Sequence, residues 1–260
     1  MKLKYPKKVN NKQLNHFFQS LSLNYLTKES KRKDLKVNEK MKRQKLTYKP
    51  ILNDLYRLYN FITLNKRLCV LEFGCGYSSI IINKALEANK KNFKEKTKEI
   101  RQHNLFKHYS VDDDKNFIKL TKNKMPNNKT SMFYYSRNSI VKTGYQISNQ
   151  YDKIPNINPD FIYIDGPDLF KINGSSKGIN LRNPDKMPMN SDLLCIENFL
   201  VPGTIILMDG RTSNARFLRN NFKRNWFYKY DNLNDQNIFL LNEAPIGKHN
   251  YRQLKYYGFI

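Results

Sequence analysis

From Pro50 onward the chain alternates between two hydrophobic rhythms. Ile51, Leu52, Leu55, Leu58, Tyr59 and Ile62 recur every three or four residues, which is one helix face, behind a proline suited to a first turn. Residues 68–73 form instead a short continuous apolar run that ends at glycine, the pattern of a parallel strand covered on both faces. Helical spacing resumes over 79–86, and the polar, lysine-rich stretch 89–102 reads as a surface insertion. Further strands are predicted at 107–111, 132–135, 159–167, stopped by Gly166-Pro167, and 204–210. Helices are predicted at 117–124, 193–200 and 214–222, and an antiparallel hairpin at 226–230 and 237–241. Alternation of this kind predicts an α/β, Rossmann-like fold: a mostly parallel seven-stranded sheet, helices on both faces, and a C-terminal antiparallel hairpin.

The flanks carry less pattern. Residues 1–47 form a basic, polar lead-in, expected to be partly helical or disordered. Leu14, Phe17, Phe18 and Leu21 have helical spacing, whereas Lys31-Arg32-Lys33 and Lys40-Met41-Lys42-Arg43 read as solvated. The main domain is expected over 48–245, with 246–260 as a tail. The stretch 168–188, rich in Gly, Asn, Ser and Pro, is long for a loop in a compact domain and suits a lid, with Asp168 and Lys171 able to reach an acceptor.

Composition narrows the classes. A chain of 260 residues with 39% hydrophobic positions can bury a full α/β core. No apolar run approaches the ~20 residues that cross a bilayer, and the first residues lack a secretory core, so the expected location is the cytoplasm. Cys69, Cys75 and Cys195 show no paired spacing, and the four histidines form no ligand pattern, so neither disulfides nor structural zinc is expected. The net charge of +25 could attract nucleic acid, but lysine is spread over the whole chain beside much Asn and Ile, as in the residue usage of an AT-rich genome. Weak, salt-sensitive nucleic-acid affinity is the expectation.

Candidate chemistry gathers at the strand ends. Ligands of open parallel sheets bind beyond the carboxyl ends of the strands. Glu72 lies in the first predicted strand, and Asp112, Asp165 and Asp209 end or follow later ones, which puts several carboxylates on one rim. At Glu72-Phe73-Gly74-Cys75-Gly76-Tyr77-Ser78-Ser79 the chain turns from strand to helix, with glycines that let a ligand lie against the backbone. The spacing of Gly74, Gly76 and Ser79 nearly matches a dinucleotide fingerprint. A nicotinamide cofactor is disfavoured because Glu72 would crowd a pyrophosphate.

The span from about Tyr48 to Leu241 resembles the class I S-adenosylmethionine-dependent methyltransferases. The matching blocks are Val70-Leu71-Glu72-Phe73-Gly74-Cys75-Gly76, Ser110-Val111-Asp112, Phe161-Ile162-Tyr163-Ile164-Asp165-Gly166 and Val201-Pro202-Gly203-Thr204-Ile205-Ile206-Leu207-Met208-Asp209. The resemblance implies that S-adenosylmethionine meets Glu72, Gly74, Gly76 and Ser78, and that Asp112 accepts the ribose hydroxyls, with Asp113 and Asp114 as neighbouring alternatives. The acid that often meets the adenine amine is missing; Ser136 or Asn138 would substitute. Asp165 and Asp209 would flank the methyl group as catalytic residues, the rival role for Asp209 being a helix cap. Arg211 would clamp a carboxylate or phosphate of the acceptor. In the metal-dependent O-methyltransferases an Asp-Asn pair follows the fifth strand. Gly210 stands in place of that Asn, so a divalent metal is not expected. The function implied is methylation of a small-molecule or sugar hydroxyl. The alternatives are a nucleic-acid methyltransferase, which lacks its usual Asn/Asp-Pro-Pro-Tyr/Phe motif here, and a non-catalytic protein that keeps the fold.

Overall fold

Residue parity along the strands sorts the core into two layers. In β1 (Cys69–Phe73), β6 (Phe161–Ile164) and β7 (Ile205–Asp209), Val70, Phe161, Tyr163, Ile205 and Leu207 face one side, while Leu71, Phe73, Ile162, Ile164, Ile206 and Met208 face the other. Both sets are buried, which is why these strands read as continuous apolar runs. The first layer packs on α3 (Leu52–Leu64) and α4 (Tyr77–Phe93); the second packs on α6 (Asp192–Ile196) and α7 (Thr212–Asn221) through Leu193, Ala215 and Leu218.

The structure, a computed structural model, describes residues 1–33, 48–168, 172–181 and 185–260. Lys40-Met41-Lys42-Arg43 and Lys171 lie outside the described residues. One sheet of seven strands has the order β3-β2-β1-β6-β7-β9-β8. It includes β2 (Lys107–Asp112), β3 (Ser131–Tyr135), β8 (Trp226–Asp231) and β9 (Gln236–Leu241). All pairings are parallel except those of β9, which runs against both β7 and β8. This is the Rossmann-like, mostly parallel sheet with a closing hairpin that the hydrophobic pattern predicts. The chain leaves β1 towards β2 and β3 and returns to β6 on the other side of β1. The topological switch point, where such sheets bind ligands, therefore lies between β1 and β6.

Three segments depart from the sequence expectation, and a fourth, the lead-in, keeps the helical spacing expected of it. Residues 89–102 are only partly a surface insertion: α4 runs on to Phe93, and fully buried Asn89 donates its Nδ2 to the backbone oxygens of Ile62 and Arg67. A polar residue that satisfies backbone carbonyls leaves no hydrophobic signal of its burial. Residues 138–151 form a separate two-stranded sheet, β4 (Asn138–Thr143) and β5 (Gln146–Tyr151), inserted between β3 and β6. Its buried positions include Asn138, Ser148 and Asn149, so no apolar alternation marks it. In the lead-in, α1 (Asn11–Ser20) and α2 (Tyr25–Glu29) bring Leu14, Phe18 and Leu26 into the same core as α3 and α4. At the other end, α8 (Gly247–Tyr257) buries Leu254 and Tyr257 beside Leu68. No helix of the described residues is long and apolar enough to cross a membrane.

The amino ends of the central strands are closed by a compact hydrogen-bonded cluster. The fully buried Asp160 carboxylate accepts hydrogen bonds from Leu68 N (2.8 Å), Cys69 N (2.9 Å) and the Tyr257 hydroxyl. Arg67, also fully buried, stacks its guanidinium 3.9 Å from the Tyr257 ring centroid and donates Nη1 to Gly203 O.

Candidate active site

The opposite rim is open. A cleft of about 590 Å³ lies over the switch point, within the size range of small-molecule sites. Its floor is the strand ends: Gly74, Cys75, Gly76 and Ser78 after β1, Asp112 and Asp113 at β2, Asp165 and Gly166 after β6, Asp209 to Arg211 at β7. Its walls are the approach to α3, from Tyr48 to Asp54, and the β8–β9 turn with Asn234 and Asp235.

The two loop glycines have different reasons to be glycine. Gly74 has φ +96°, and a Cβ there would sit 2.8 Å from Gly166 N, so this position serves the close approach of the β1 and β6 loops. A Cβ on Gly76 would meet nothing within 4 Å. Gly76 thus borders open cleft space, and there a side chain would compete with a bound group.

Glu72 lies below the cleft, not on its surface. It is fully buried, and its Oε2 accepts from Ser79 Oγ (2.5 Å) and pairs with His108 Nε2 (3.0 Å). Ser79 Oγ in turn accepts from Gly76 N (3.2 Å), which links the acid to the glycine turn. Ser78 lines the cleft.

The three consecutive aspartates divide their duties. Asp112 accepts from Cys75 N through Oδ2 (2.8 Å) and from Asp114 N through Oδ1 (2.7 Å), so its carboxylate is spent on holding the glycine loop. Asp114 caps α5 (Lys115–Asn123) by accepting from Asn116 N and Phe117 N. Asp113 lines the cleft, and its Oδ2 has no hydrogen-bond partner. Burial and the neighbouring Asp112 raise the Asp113 pKa to about 7. Burial likewise raises Asp112 to about 6, against the pull of its backbone donors.

Asp165 and Asp209 come together as the sequence implies, joined by two residues that it did not single out. Asp165 is open to the cleft yet enclosed by protein atoms, which raises its pKa to about 6; Arg211 moderates the rise. Half-buried Asp209 accepts from the Tyr163 hydroxyl through Oδ2 (3.0 Å). Burial first, then Asp54 in the first turn of α3 and Asp165, push its pKa well up. Burial, with Asp165 and Asp235 adding to it and Arg57 opposing it, raises the Asp54 pKa to about 6. Asp209 is no helix cap: α7 starts at Thr212, the residue before it is Arg211, and no side chain caps it.

Two further expected site residues have partners of their own. Ser136 is buried outside the cleft lining, where its Oγ accepts from Lys153 N and its own N–H donates to Asp112 O. Arg211 lines the cleft, its Nη2 donates to the backbone oxygens of Asp165 and Pro167, and its buried Nε has no partner. Through Nη2 it braces the β6 loop. Tyr48 donates to Asp168 Oδ2 across the cleft (2.9 Å). Among the described residues no group of three or more His, Cys, Asp or Glu is arranged to hold a metal ion.

No protein-family model and no curated protein matches the sequence. Solved structures align with it at low identity. An S-adenosylhomocysteine-bound methyltransferase of Podospora anserina is 10% identical over 93% of this chain and 100% of that one, with TM-score 0.45. The O-methyltransferase TomG of Streptomyces achromogenes, in complex with S-adenosylmethionine, is 10% identical over 91% and 100%, with TM-score 0.44. An O-methyltransferase of Bacillus cereus in complex with S-adenosylhomocysteine is 12% identical over 92% of each chain, with TM-score 0.39.

Proposed function

We propose that this protein is an S-adenosylmethionine-dependent methyltransferase of the cytoplasm that methylates a hydroxyl of a small molecule, a sugar hydroxyl included. The observation that carries the reading is the glycine turn after β1, which opens at Gly76 onto the switch-point cleft, with the unpartnered Asp113 Oδ2 in the same cleft. The residues fit the group. Gly76 and Ser78 would border it, Asp113 would accept ribose hydroxyls in place of the expected Asp112, and Gly74 would act indirectly by letting the two loops meet.

Bound S-adenosylmethionine supplies an electrophilic methyl group. The chain's own part is to orient the acceptor and take its proton. Asp209 suits the second task, because a carboxyl with a raised pKa holds a proton near neutral pH. Tyr163 fixes its orientation through the hydroxyl on Oδ2. An RNA acceptor is disfavoured, since its phosphates would enter a cleft lined by aspartates.

Calorimetry tests the reading. S-adenosylmethionine and S-adenosylhomocysteine should both bind, and Gly76→Val should weaken both strongly while the fold stays intact. Binding of NADH without either sulfur compound would overturn the assignment.

A further inference from the structure

A buried donor stands behind the proton acceptor. Gln236, the first residue of β9, is fully buried and lies opposite Asp209 in the β7–β9 register. Across the β8–β9 turn it is also in register with Asp231. Arg57, buried in α3, holds both members of that second pair. Its Nε donates to Gln236 Oε1 (2.6 Å) and its Nη2 to Asp231 Oδ2 (2.6 Å). Asn234 Nδ2 donates to the same Asp231 oxygen (3.0 Å), and the Arg57 guanidinium lies 5.5 Å from the Phe61 ring centroid. The guanidinium is therefore fixed from three sides.

This fixes which way the amide points. A guanidinium can only donate, so it takes the amide oxygen and leaves the amide nitrogen for the far side. Gln236 Nε2 has no other partner among the described residues and is directed at the Asp209 carboxyl. A buried amide donor is costly to leave unpaired, and a carboxylate at Asp209 would complete it. From the other neighbouring strand, the Tyr163 hydroxyl meets Asp209 Oδ2 (3.0 Å). The base on β7 thus has a donor on each side. The remaining groups that face it are Asp54 from α3 and Asp165 after β6; Arg211 follows two residues on, and Asp235 adjoins Gly210. Burial, Asp54 and Asp165 favour the neutral carboxyl, whereas Tyr163 and Gln236 favour the charged one. A carboxyl without those donors would keep its proton and could not take one from an acceptor.

We propose that Gln236 and Arg57 are positioning residues for Asp209: Arg57 holds the amide oxygen, and the amide nitrogen turned away from it orients the Asp209 carboxylate, opposite Tyr163, for proton transfer in the cleft. Gln236 touches neither cofactor nor acceptor and acts through Asp209 alone; Arg57 acts through Gln236. The proposal rests on the methyltransferase reading for the use of the base, but its geometry does not.

The test reads the carboxyl directly and needs no turnover. Full-length protein labelled with ¹³C at the aspartate carboxyl carbons would be titrated by NMR, the Asp209 signal being the one lost in Asp209→Asn. Gln236→Leu removes the donor and should raise the Asp209 midpoint by about one pH unit. Gln236→Glu keeps the shape and the Arg57 bond but offers an acceptor where the donor stood, so it should raise the midpoint at least as far; it carries the test if the leucine variant does not fold. The effects of Arg57→Met and Gln236→Leu should not add, because Arg57 works through the amide. A midpoint unchanged or lowered in either Gln236 variant would overturn the proposal, since a merely structural role predicts that outcome. Additive shifts would also overturn it, by making Arg57 a charge that acts at a distance. Failure of S-adenosylhomocysteine to bind would instead count against the methyltransferase reading and would leave the titration result standing.

Discussion

The two ends of the parallel sheet handle buried charge in opposite ways. At the amino ends of the strands, Asp160 has two backbone N–H donors, a tyrosine hydroxyl and the Arg67 guanidinium close by. At the carboxyl ends, Asp54, Asp165, Asp209 and Asp235 share a cleft, and among the described residues none of them forms an ion pair. A carboxylate inside a protein is tolerated when it is paired and hydrogen-bonded, and otherwise shifts its pKa. The lower cluster follows mainly the first route, its donors and Arg67 opposing the burial that still raises the Asp160 pKa, and it serves stability. The upper one follows the second, which leaves charge available to a ligand.

Breaking the lower cluster should have the largest effect. Asp160→Ala leaves Leu68 N, Cys69 N and the Tyr257 hydroxyl without their acceptor and removes the negative charge near buried Arg67, a combined loss of about 3–5 kcal/mol. Thermal unfolding should show a melting temperature lower by about 10 °C or more. A loss of only a degree or two would mean that the two ends do not differ as described.

At the upper end the damage should fall on activity. Asp209→Asn keeps an acceptor for the Tyr163 hydroxyl but removes the proton-accepting carboxylate. Turnover should drop roughly a hundredfold, with S-adenosylhomocysteine affinity nearly unchanged. Retained turnover would remove Asp209 from the chemistry.

Next in size is the division of labour at β2. Asp113→Asn should weaken S-adenosylhomocysteine binding about tenfold with little change in melting temperature, because the lost interaction is with the ligand. Asp112→Asn should lower stability as well, since the Asp112 carboxylate holds Cys75 N and Asp114 N. If both variants behave alike, the assignment of Asp113 to the ligand fails.

The smallest effect is on pH dependence. Asp113, Asp165 and Asp209 have folded pKa values raised above the unfolded value, so folding takes up protons. Their contribution is most favourable at low pH, and stability should fall as pH rises from about 4 towards 7. Asp209→Asn should flatten that slope and raise the melting temperature slightly at pH 8. A melting temperature that climbs through this window, equally in both proteins, would show that the rim carboxyls are not strained.

The framework was legible because buried parallel strands and amphipathic helices write periodic hydrophobic patterns. The strands around 68–73, 107–111, 161–164 and 205–209 all stand where the pattern puts them. The hairpin at 138–151 and the helix at 247–257 were not legible, because they bury Asn, Ser, Gln and Tyr through hydrogen bonds that leave no such period. In the site, the glycine turn and the Asp165–Asp209 pair followed from strand ends. Sequence could not divide the roles of Asp112, Asp113 and Asp114, which depend on which backbone N–H each meets. Nor could it find Asp54 or Tyr163, which reach the cleft from a helix start and a strand interior. Strand parity holds part of the signal: Tyr163 and Asp165, like Leu207 and Asp209, share a face.

The helix that ends at Tyr257 has a consequence for how the protein is made. Synthesis delivers Arg67 first, Asp160 next and the tyrosine that joins both only near residue 257. Until that tyrosine arrives, the Asp160 carboxylate lacks its hydroxyl donor and the Arg67 guanidinium lacks the ring it stacks on. A ribosome stalled before residue 247 would therefore carry a sheet with a complete upper rim and an unsealed base. Such a nascent chain should be the form most in need of a chaperone.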